Sequence, residues 1–285
     1  MPALTWSAIA ALIRLPNQSG TWLLMLPVLW ALVMASRGRP APSLLLIFAI
    51  GSFLMRSAGV IFNDMADRKI DRHVARTSIR PLARGTVSVP AAIATACALV
   101  SVAAAVALML NPFTLLLSPV ALALALLYPF AKRVLALPQA ILGMAFGWGV
   151  IMAWAAVRDS LETPVWLLYG ATICWAVGYD TIYSLQDRED DARIGVKSAA
   201  LLFGRQTWLA VGIALVAMLV LLGGAGWLWG LGVPFYATLA AVAGFFSRQV
   251  MRLRRPVSPP LAFAMFRHHI WAGAAILLGI VLGSL

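Results

Sequence analysis

The sequence predicts an all-α, polytopic membrane protein with about nine transmembrane helices around a central cavity. Hydrophobic residues make up 62% of its 285 residues and charged residues only 11%, whereas a soluble domain is roughly a quarter charged. Apolar runs of about twenty residues, the length that a helix needs to cross the hydrocarbon core, recur along the chain. No hydrophilic stretch is long enough for a soluble domain, so residues 1–285 are predicted to form a single membrane domain.

The predicted spans follow one another with short connections. Residues 1–19 form an amphipathic lead, the fourth span follows Asn111-Pro112 and ends near Tyr128, and the eighth span ends near Phe246. The other seven spans are predicted at residues 20–36, 43–63, 91–110, 138–157, 164–184, 207–222 and 269–285.

The positive charges predict the orientation of these spans. Of the 22 Lys and Arg residues, 18 fall on one side, Arg37, Arg39 and Arg158 fall on the other, and Arg56 lies within the second span. Because basic loops stay in the cytoplasm, the N-terminus is predicted to be cytoplasmic and the C-terminus to lie outside. Topology thus explains the net charge of +12, and no nucleic-acid partner is expected.

A first acidic cluster follows the second span. Asn63, Asp67 and Asp71 are spaced four residues apart, with Asp64 beside Asn63. On a helix this spacing places the first three on one face, over roughly 12 Å of rise. Like charges on one face require a cation, and oxygen ligands suit a hard divalent ion such as Mg²⁺.

A second acidic cluster follows the sixth span. Asp187 and Asp191 repeat the four-residue spacing at its end, and Asp180 lies seven residues before Asp187. Four spans separate the clusters, so both are predicted to face the cytoplasm and to be able to meet. The alternative, solvated loop charges that balance the arginines, is disfavoured because ionisable residues at membrane depth are costly.

Arginines accompany both clusters. Arg56 lies seven residues before Asn63, so it is predicted to point into the cavity and to hold an anionic substrate group; a salt bridge to a neighbouring span, for example to Asp180, is the alternative. Further arginines recur every four residues, at Arg68, Arg72, Arg76, Arg80 and Arg84. They suit either a diphosphate clamp or contact with lipid phosphates on the cytoplasmic side.

These parts together predict a reaction. Mg²⁺ held between carboxylates and a diphosphate would make the diphosphate a good leaving group. A large apolar cavity would hold a long hydrocarbon tail. An allylic carbon ionises readily in this way, and an electron-rich acceptor would capture the prenyl cation.

The motifs resemble those of the UbiA superfamily of intramembrane prenyltransferases, most closely its 4-hydroxybenzoate polyprenyltransferase branch. The first family motif, N-D-x-x-D-x-x-x-D, reads NDMADRKID at residues 63–71, and the second, D-x-x-x-D, reads DREDD at 187–191. Branch-like flanks surround both motifs, and a third family patch is similar to YPFAKR at 128–133 and PQ at 138–139.

The resemblance implies transfer of a polyprenyl group from polyprenyl diphosphate to the ring of 4-hydroxybenzoate, in ubiquinone synthesis at the bacterial inner membrane. It implies two Mg²⁺ ions in a cavity open to the bilayer, with active-site loops facing the cytoplasm. The predicted metal ligands are Asn63, Asp64, Asp67, Asp71, Asp187 and Asp191. The predicted catalytic residues are Asp67, Asp187, Asp191 and Arg56. The predicted substrate-binding residues are Arg56, Arg72, Arg76, Tyr128, Lys132, Arg133, Asp180, Tyr183 and Lys197.

Other functions remain open at this point. Residues 16–19 read PNQS where relatives often carry DKPI, so the acceptor could instead be a naphthoate, a haem or another lipophilic molecule. Membrane phosphatidyltransferases also use Asp clusters with Mg²⁺, but their Asp-Gly-x-x-Ala-Arg start is absent. A cation transporter with paired Asp sites would place its carboxylates near mid-membrane, whereas here they stand at span ends.

Overall fold

The computed structural model describes residues 5–135, 137–195 and 197–285, and their side chains except those of residues 132–134. Every regular element in this part of the chain is helical, which confirms the predicted fold class. The helices are α1 (Trp6–Leu12), α2 (Ser19–Ala35), α3 (Pro42–Asp71), α4 (Pro81–Arg84), α5 (Val89–Ala107), α6 (Pro112–Val134), α7 (Gln139–Arg158), α8 (Thr163–Ser184), α9 (Arg188–Ile194), α10 (Ala199–Phe203), α11 (Thr207–Trp229), α12 (Val233–Arg252) and α13 (Pro259–Gly283), with a 3₁₀ turn at Gly204–Gln206.

Nine of the described helices have 17 to 30 residues. Within the same part of the chain, six helical stretches are long and apolar enough to cross a membrane, and α2 is a shorter apolar helix. Their outer faces carry exposed aliphatic side chains, such as Val216 and Val220 of α11, which are 61% and 67% exposed. Such a surface requires lipid contact, and the protein is an integral membrane protein.

Helix α3 carries the first acidic motif. It starts with Pro42, whose fixed φ suits the first turn of a helix. It then continues without a break to Asp71, beyond the predicted end at residue 63. Arg68 and Lys69 lie in its last turn, where they offset the negative end of the helix dipole. Arg56 and the motif therefore lie on one rigid helix.

Close packing of α7, α8 and α13 forms the solid side of the bundle. A Cβ at Gly143 of α7 would lie 2.8 Å from the Cα of Ile173 in α8, so glycine permits this approach. Trp30 and Trp175 pack with ring centroids 5.0 Å apart, and Trp30 Nε1 donates to the carbonyl of Gly273. The cavity lies beside this packed region, between α2, α3, α5, α6, α7 and α8.

Besides the second span, four of the predicted spans are too short. Helix α6 continues to Val134 rather than ending near Tyr128. Helix α11 continues to Trp229 rather than 222, because Gly226 packs against the ring of Phe235 instead of forming a loop. Helix α12 extends beyond Phe246 to Arg252, so two basic residues assigned to a loop are helical. Helix α13 begins at Pro259 rather than 269. Arg267 and His268 interrupt the apolar pattern just before the predicted start, but they lie exposed on the surface of one continuous helix.

Candidate active site

The two acidic motifs meet in one cavity of about 820 Å³. Most of its wall is apolar and comes from α2, α3, α5, α6 and α7. Apart from Arg14 and the deeper Arg56, the charged groups lie toward the ends of α3 and α8 and in the segments that follow them. The acidic lining residues are Asp67, Asp71, Asp180, Asp187 and Asp191, and the basic ones are Arg14, Arg56, Arg76, Arg80 and Lys197.

The first motif divides between the cavity and the protein interior. Asn63, Asp67 and Asp71 line the cavity, as their four-residue spacing predicts. Asp64 points to the other side of the helix and is 2% exposed. It accepts hydrogen bonds from Arg14 Nη2 at 2.6 Å and from Arg80 Nη1 at 3.1 Å. The geometry therefore favours a positioning role for Asp64 over the predicted metal-ligand role.

Arg80 joins the two faces of this motif. Its Nη1 donates both to Asp64 and, at 2.8 Å, to Asp71 Oδ2. The sequence identifies Arg80 only as one of five regularly spaced arginines, and Arg14 only as a basic residue of the lead at residues 1–19. The sequence shows both as basic residues next to a predicted span. The carboxylates that they bind can be identified only once the helices are packed.

The second motif lies on a break in the chain. Helix α8 ends at Ser184, and Asp187 is the N-cap residue of the separate short helix α9. The predicted end of the sixth span at residue 184 is therefore confirmed, and Asp187 and Asp191 belong to a separate helical turn beyond it. They remain one turn apart, because the Asp191 N–H donates to the Asp187 carbonyl at 2.8 Å. Burial raises the pKa of the Asp191 carboxyl group to about 6.

The segment after α3 binds the second motif directly. Arg76 donates from Nε and Nη2 to the two carboxylate oxygens of Asp187, at 2.8 and 2.5 Å. Its Nη1 donates to the Tyr183 hydroxyl at 2.8 Å. The backbone N–H of Ala75 donates to Asp190 Oδ2 at 3.1 Å. The two motifs thus meet on one side of the bundle, as the number of intervening spans predicts.

Burial alone would lower the pKa of Arg76, but its hydrogen bonds to Asp187 raise it. The guanidinium therefore stays charged. It holds Asp187 in a fork geometry that carboxylates favour.

Arg56 lies deeper in the same cavity. It is two helical turns, roughly 10 Å of rise, from Asn63 on the uninterrupted α3. Its Nε is buried and has no hydrogen-bond partner among the described residues. A cation deep in a largely apolar cavity is costly unless an anion compensates its charge, so the arrangement favours an anionic ligand from outside the chain.

The remaining predicted substrate contacts divide into three groups. Tyr128, Asp180, Tyr183 and Lys197 line the cavity. Arg72 is exposed, is not among the described lining residues and donates from Nε to the Ala83 carbonyl at 3.0 Å. The side chains of Lys132 and Arg133 lie outside the described part of the structure. Buried Gln139, which was not predicted as a contact, also lines the cavity, and its Oε1 has no partner among described atoms.

The donor set suits Mg²⁺, since carboxylate and amide oxygens of both motifs line one cavity. In the described part of the chain, no three His, Cys, Asp or Glu side chains lie close enough together to hold an ion by themselves. Arginines neutralise three of the carboxylates instead, those of Asp64, Asp71 and Asp187. The residues therefore fit a metal that takes further oxygen ligands from water or a phosphate group, as Mg²⁺ commonly does.

Known proteins show the same architecture. The structure superposes on the apo structure of a UbiA homolog from Aeropyrum pernix K1 with a TM-score of 0.78 and 29% identity, covering 92% of this chain and 98% of that one. A UbiA homolog from Archaeoglobus fulgidus bound to GPP and Mg²⁺ superposes with a TM-score of 0.72, covering 96% and 99%. At 16% identity, that second likeness concerns the fold alone.

Sequence comparison is more specific. A protein of Pectobacterium carotovorum subsp. carotovorum (strain PC1) named 4-hydroxybenzoate octaprenyltransferase is 45% identical over 279 residues, which cover 98% of this chain and 96% of that protein. The family model described as the UbiA prenyltransferase family matches residues 24–280. This chain therefore belongs to the UbiA prenyltransferase family.

Proposed function

We propose that this protein transfers a polyprenyl group from polyprenyl diphosphate to the ring of 4-hydroxybenzoate, ortho to the hydroxyl group. One observation carries the proposal. A single cavity combines a charged end that holds both acidic motifs, a long apolar wall, and a deeper arginine, Arg56. These parts suit a diphosphate, a hydrocarbon tail and a carboxylate, respectively. The relative at 45% identity carries the name of this activity.

The charged end is proposed to bind the donor's diphosphate. Asn63, Asp67 and Asp71 on one wall, and Asp187 and Asp191 on the other, would hold Mg²⁺, with two ions as the expected number. The bound metal would neutralise the negative charge of the leaving diphosphate. Arg76, Lys132 and Lys197 are the cations proposed to bind the diphosphate oxygens directly, since Arg76 and Lys197 lie in the segments that carry the motifs.

The apolar wall is proposed to hold the prenyl tail and the ring. The allylic C–O bond breaks, and its electron pair leaves with the diphosphate. The ring carbon beside the phenol oxygen then forms the new C–C bond with the allylic carbon. Loss of the proton from that ring carbon restores aromaticity. The apolar lining of α5 and α6 keeps water from capturing the allylic cation.

Arg56 is proposed to bind the carboxylate of the acceptor. The diphosphate is held at the end of α3, so Arg56 lies too deep to be its main partner. A ring placed between the two would bring its ortho carbon toward the allylic carbon while its carboxylate reaches Arg56. Guanidinium and carboxylate groups are matched for two parallel hydrogen bonds.

The membrane and its orientation complete the proposal. We expect the protein in a bacterial inner membrane, with the segments after α3 and α8 on the cytoplasmic side, where basic residues concentrate. The lipid bilayer would then deliver the long donor through the apolar wall, and the small polar acceptor would enter from the cytoplasm.

An acceptor screen in membranes tests the proposal. Membranes that contain the protein are incubated with one polyprenyl diphosphate, Mg²⁺ and, separately, 4-hydroxybenzoate, a hydroxynaphthoate or haem. The expected product is prenylated 4-hydroxybenzoate, identified by mass. Prenylation of one of the other acceptors alone would leave the transfer reaction in place but overturn the assignment of the acceptor.

A further inference from the structure

Gly20, at the start of α2, touches the guanidinium of Arg56 in the cavity. A Cβ built on Gly20 would lie 2.5 Å from Arg56 Nε, 2.6 Å from Nη2 and 2.9 Å from Cζ. Both residues line the cavity. We propose that Gly20 is a positioning residue for the acceptor, because the absence of its side chain fixes where the Arg56 guanidinium sits. This inference rests on the proposed function for its ligand, the acceptor carboxylate.

The distances show which edge of the guanidinium meets Gly20. The nitrogens Nε and Nη2 are both closer to the Cβ position than Cζ is. The Nε–Nη2 edge therefore faces Gly20, in agreement with the unmet hydrogen-bond donor at Nε. A guanidinium has two edges that can bind a carboxylate in a fork. With one turned to Gly20, the edge between Nη1 and Nη2 is the one assigned to the acceptor.

The predicted conflict at this position is local. All three atoms nearest to the added Cβ belong to the flexible end of the Arg56 side chain, rather than to backbone. A methyl group at residue 20 would therefore push the guanidinium aside without preventing α2 and α3 from packing. This contrasts with Gly143, where a Cβ would lie 2.8 Å from the backbone Cα of Ile173 and the helices themselves would have to move.

Two further residues beside Gly20, Asn17 and Ser19, line the same part of the cavity. The Ser19 hydroxyl donates to Asn17 Oδ1 at 2.9 Å. We assign these residues and Gly20 to the wall that positions Arg56.

Steady-state kinetics of Gly20→Ala test the inference. The KM for 4-hydroxybenzoate is expected to rise on the order of tenfold, because small misplacements of a binding group are costly, while the KM for the donor stays within twofold. Gly244→Ala is the matched control. It also adds a methyl group to a helical glycine, but a Cβ there meets no atom within 4 Å, so both KM values should remain those of the parent protein.

A double-mutant cycle separates positioning from a merely structural role. In an Arg56→Ala background, Gly20→Ala should cause no further change in acceptor KM, because the group that it displaces is gone. Additive effects of the two substitutions would overturn the inference. An equal loss of folded, membrane-inserted protein and of activity toward both substrates would overturn it as well.

The same experiment distinguishes this inference from the proposed function. If Arg56→Ala alters donor KM rather than acceptor KM, the assignment of Arg56 to the acceptor carboxylate fails. Non-additive effects of Arg56→Ala and Gly20→Ala on the donor KM would still support the inference that Gly20 positions the Arg56 guanidinium. Additive effects would overturn it.

Discussion

Arg76 and Asp187 form a two-point ion pair across the mouth of the cavity, with N–O distances of 2.8 and 2.5 Å. The pair joins the segment that follows the first motif to the second motif, 111 residues later. Asp187 is also a predicted metal ligand, so the arginine holds the place that a cation would take. The charge of Asp187 is in this way neutralised by a side chain of the protein itself.

Removal of Arg76 should strengthen metal binding and weaken donor binding. In Arg76→Ala, Asp187 loses its competing cation, so we expect Mg²⁺ alone to bind several-fold more tightly. The KM for polyprenyl diphosphate should rise, because a cation at the diphosphate end is lost. Mg²⁺ titrations of thermal stability without substrate measure the first effect. Arg254→Ala, which removes an arginine packed 4.4 Å from the Trp208 ring, is the control. Weaker Mg²⁺ binding in Arg76→Ala would contradict the predicted competition between Arg76 and Mg²⁺ for Asp187.

Both acidic motifs should be needed for turnover. Asp67→Ala and Asp187→Ala are each expected to reduce kcat on the order of a hundredfold or more, because charge neutralisation at the leaving group is lost. Chelation of Mg²⁺ should have the same effect and should be reversed by added Mg²⁺. Initial rates on equal amounts of inserted protein check this. Near-normal activity of either variant at saturating Mg²⁺ would mean that the site does not combine the two motifs.

Asp64 should affect stability rather than metal use. It is buried and accepts hydrogen bonds from Arg14 and Arg80, so Asp64→Asn leaves both cations less well paired. We expect a loss of about 1–3 kcal/mol of stability, visible as a lower Tm. The Mg²⁺ concentration for half-maximal rate should stay the same. A marked rise in that concentration with an unchanged Tm would return Asp64 to the metal ligands.

Cysteine labelling should give the orientation. In a variant without Cys97 and Cys174, a cysteine in place of Ile79, which is 70% exposed, should react with an impermeant reagent only from the cytoplasmic face. A cysteine in place of the exposed Ser160 should react only from the opposite face. Labelling of both from one face would contradict the predicted arrangement of the spans.

Arg56 should bind the carboxylate of the acceptor. Loss of one partner of a buried ion pair costs about 3–5 kcal/mol, so Arg56→Ala should raise the acceptor KM by about two orders of magnitude or more. Arg56→Lys should recover only part, because the planar fork is lost. Donor affinity, measured separately by diphosphate binding, should change little. A loss confined to the donor would assign Arg56 to the diphosphate.

The sequence predicted the site well where one helix holds it. Asn63, Asp67 and Asp71 have fixed spacing on α3, and helical periodicity alone places them on one face. It was less informative beyond the sixth span. The end of that span at residue 184 was predicted correctly, but nothing in the local pattern shows that Asp187 and Asp191 belong to a separate short helix.

Contacts between distant segments explain the other differences. The pairing of Arg14 with Asp64 joins residues 50 apart, and the contact of Gly20 with Arg56 depends on how α2 packs on α3. Neither has a periodic signal. The early start of α13 was missed because Arg267 and His268 lower the apolar character of the stretch before residue 269, whereas in the fold both are exposed on the helix surface.

The most direct measurement follows the ring hydrogens of the acceptor. 4-Hydroxybenzoate deuterated at both positions ortho to the hydroxyl is incubated with polyprenyl diphosphate, Mg²⁺ and membranes that contain the protein, and the product is analysed by mass. Ring transfer predicts a product that has gained one prenyl group and lost one of the two deuterium atoms. The Asp187→Ala variant should not form this product. A prenylated product that retains both deuterium atoms, or no product at all while diphosphate is released, would contradict prenylation of the ring at this position.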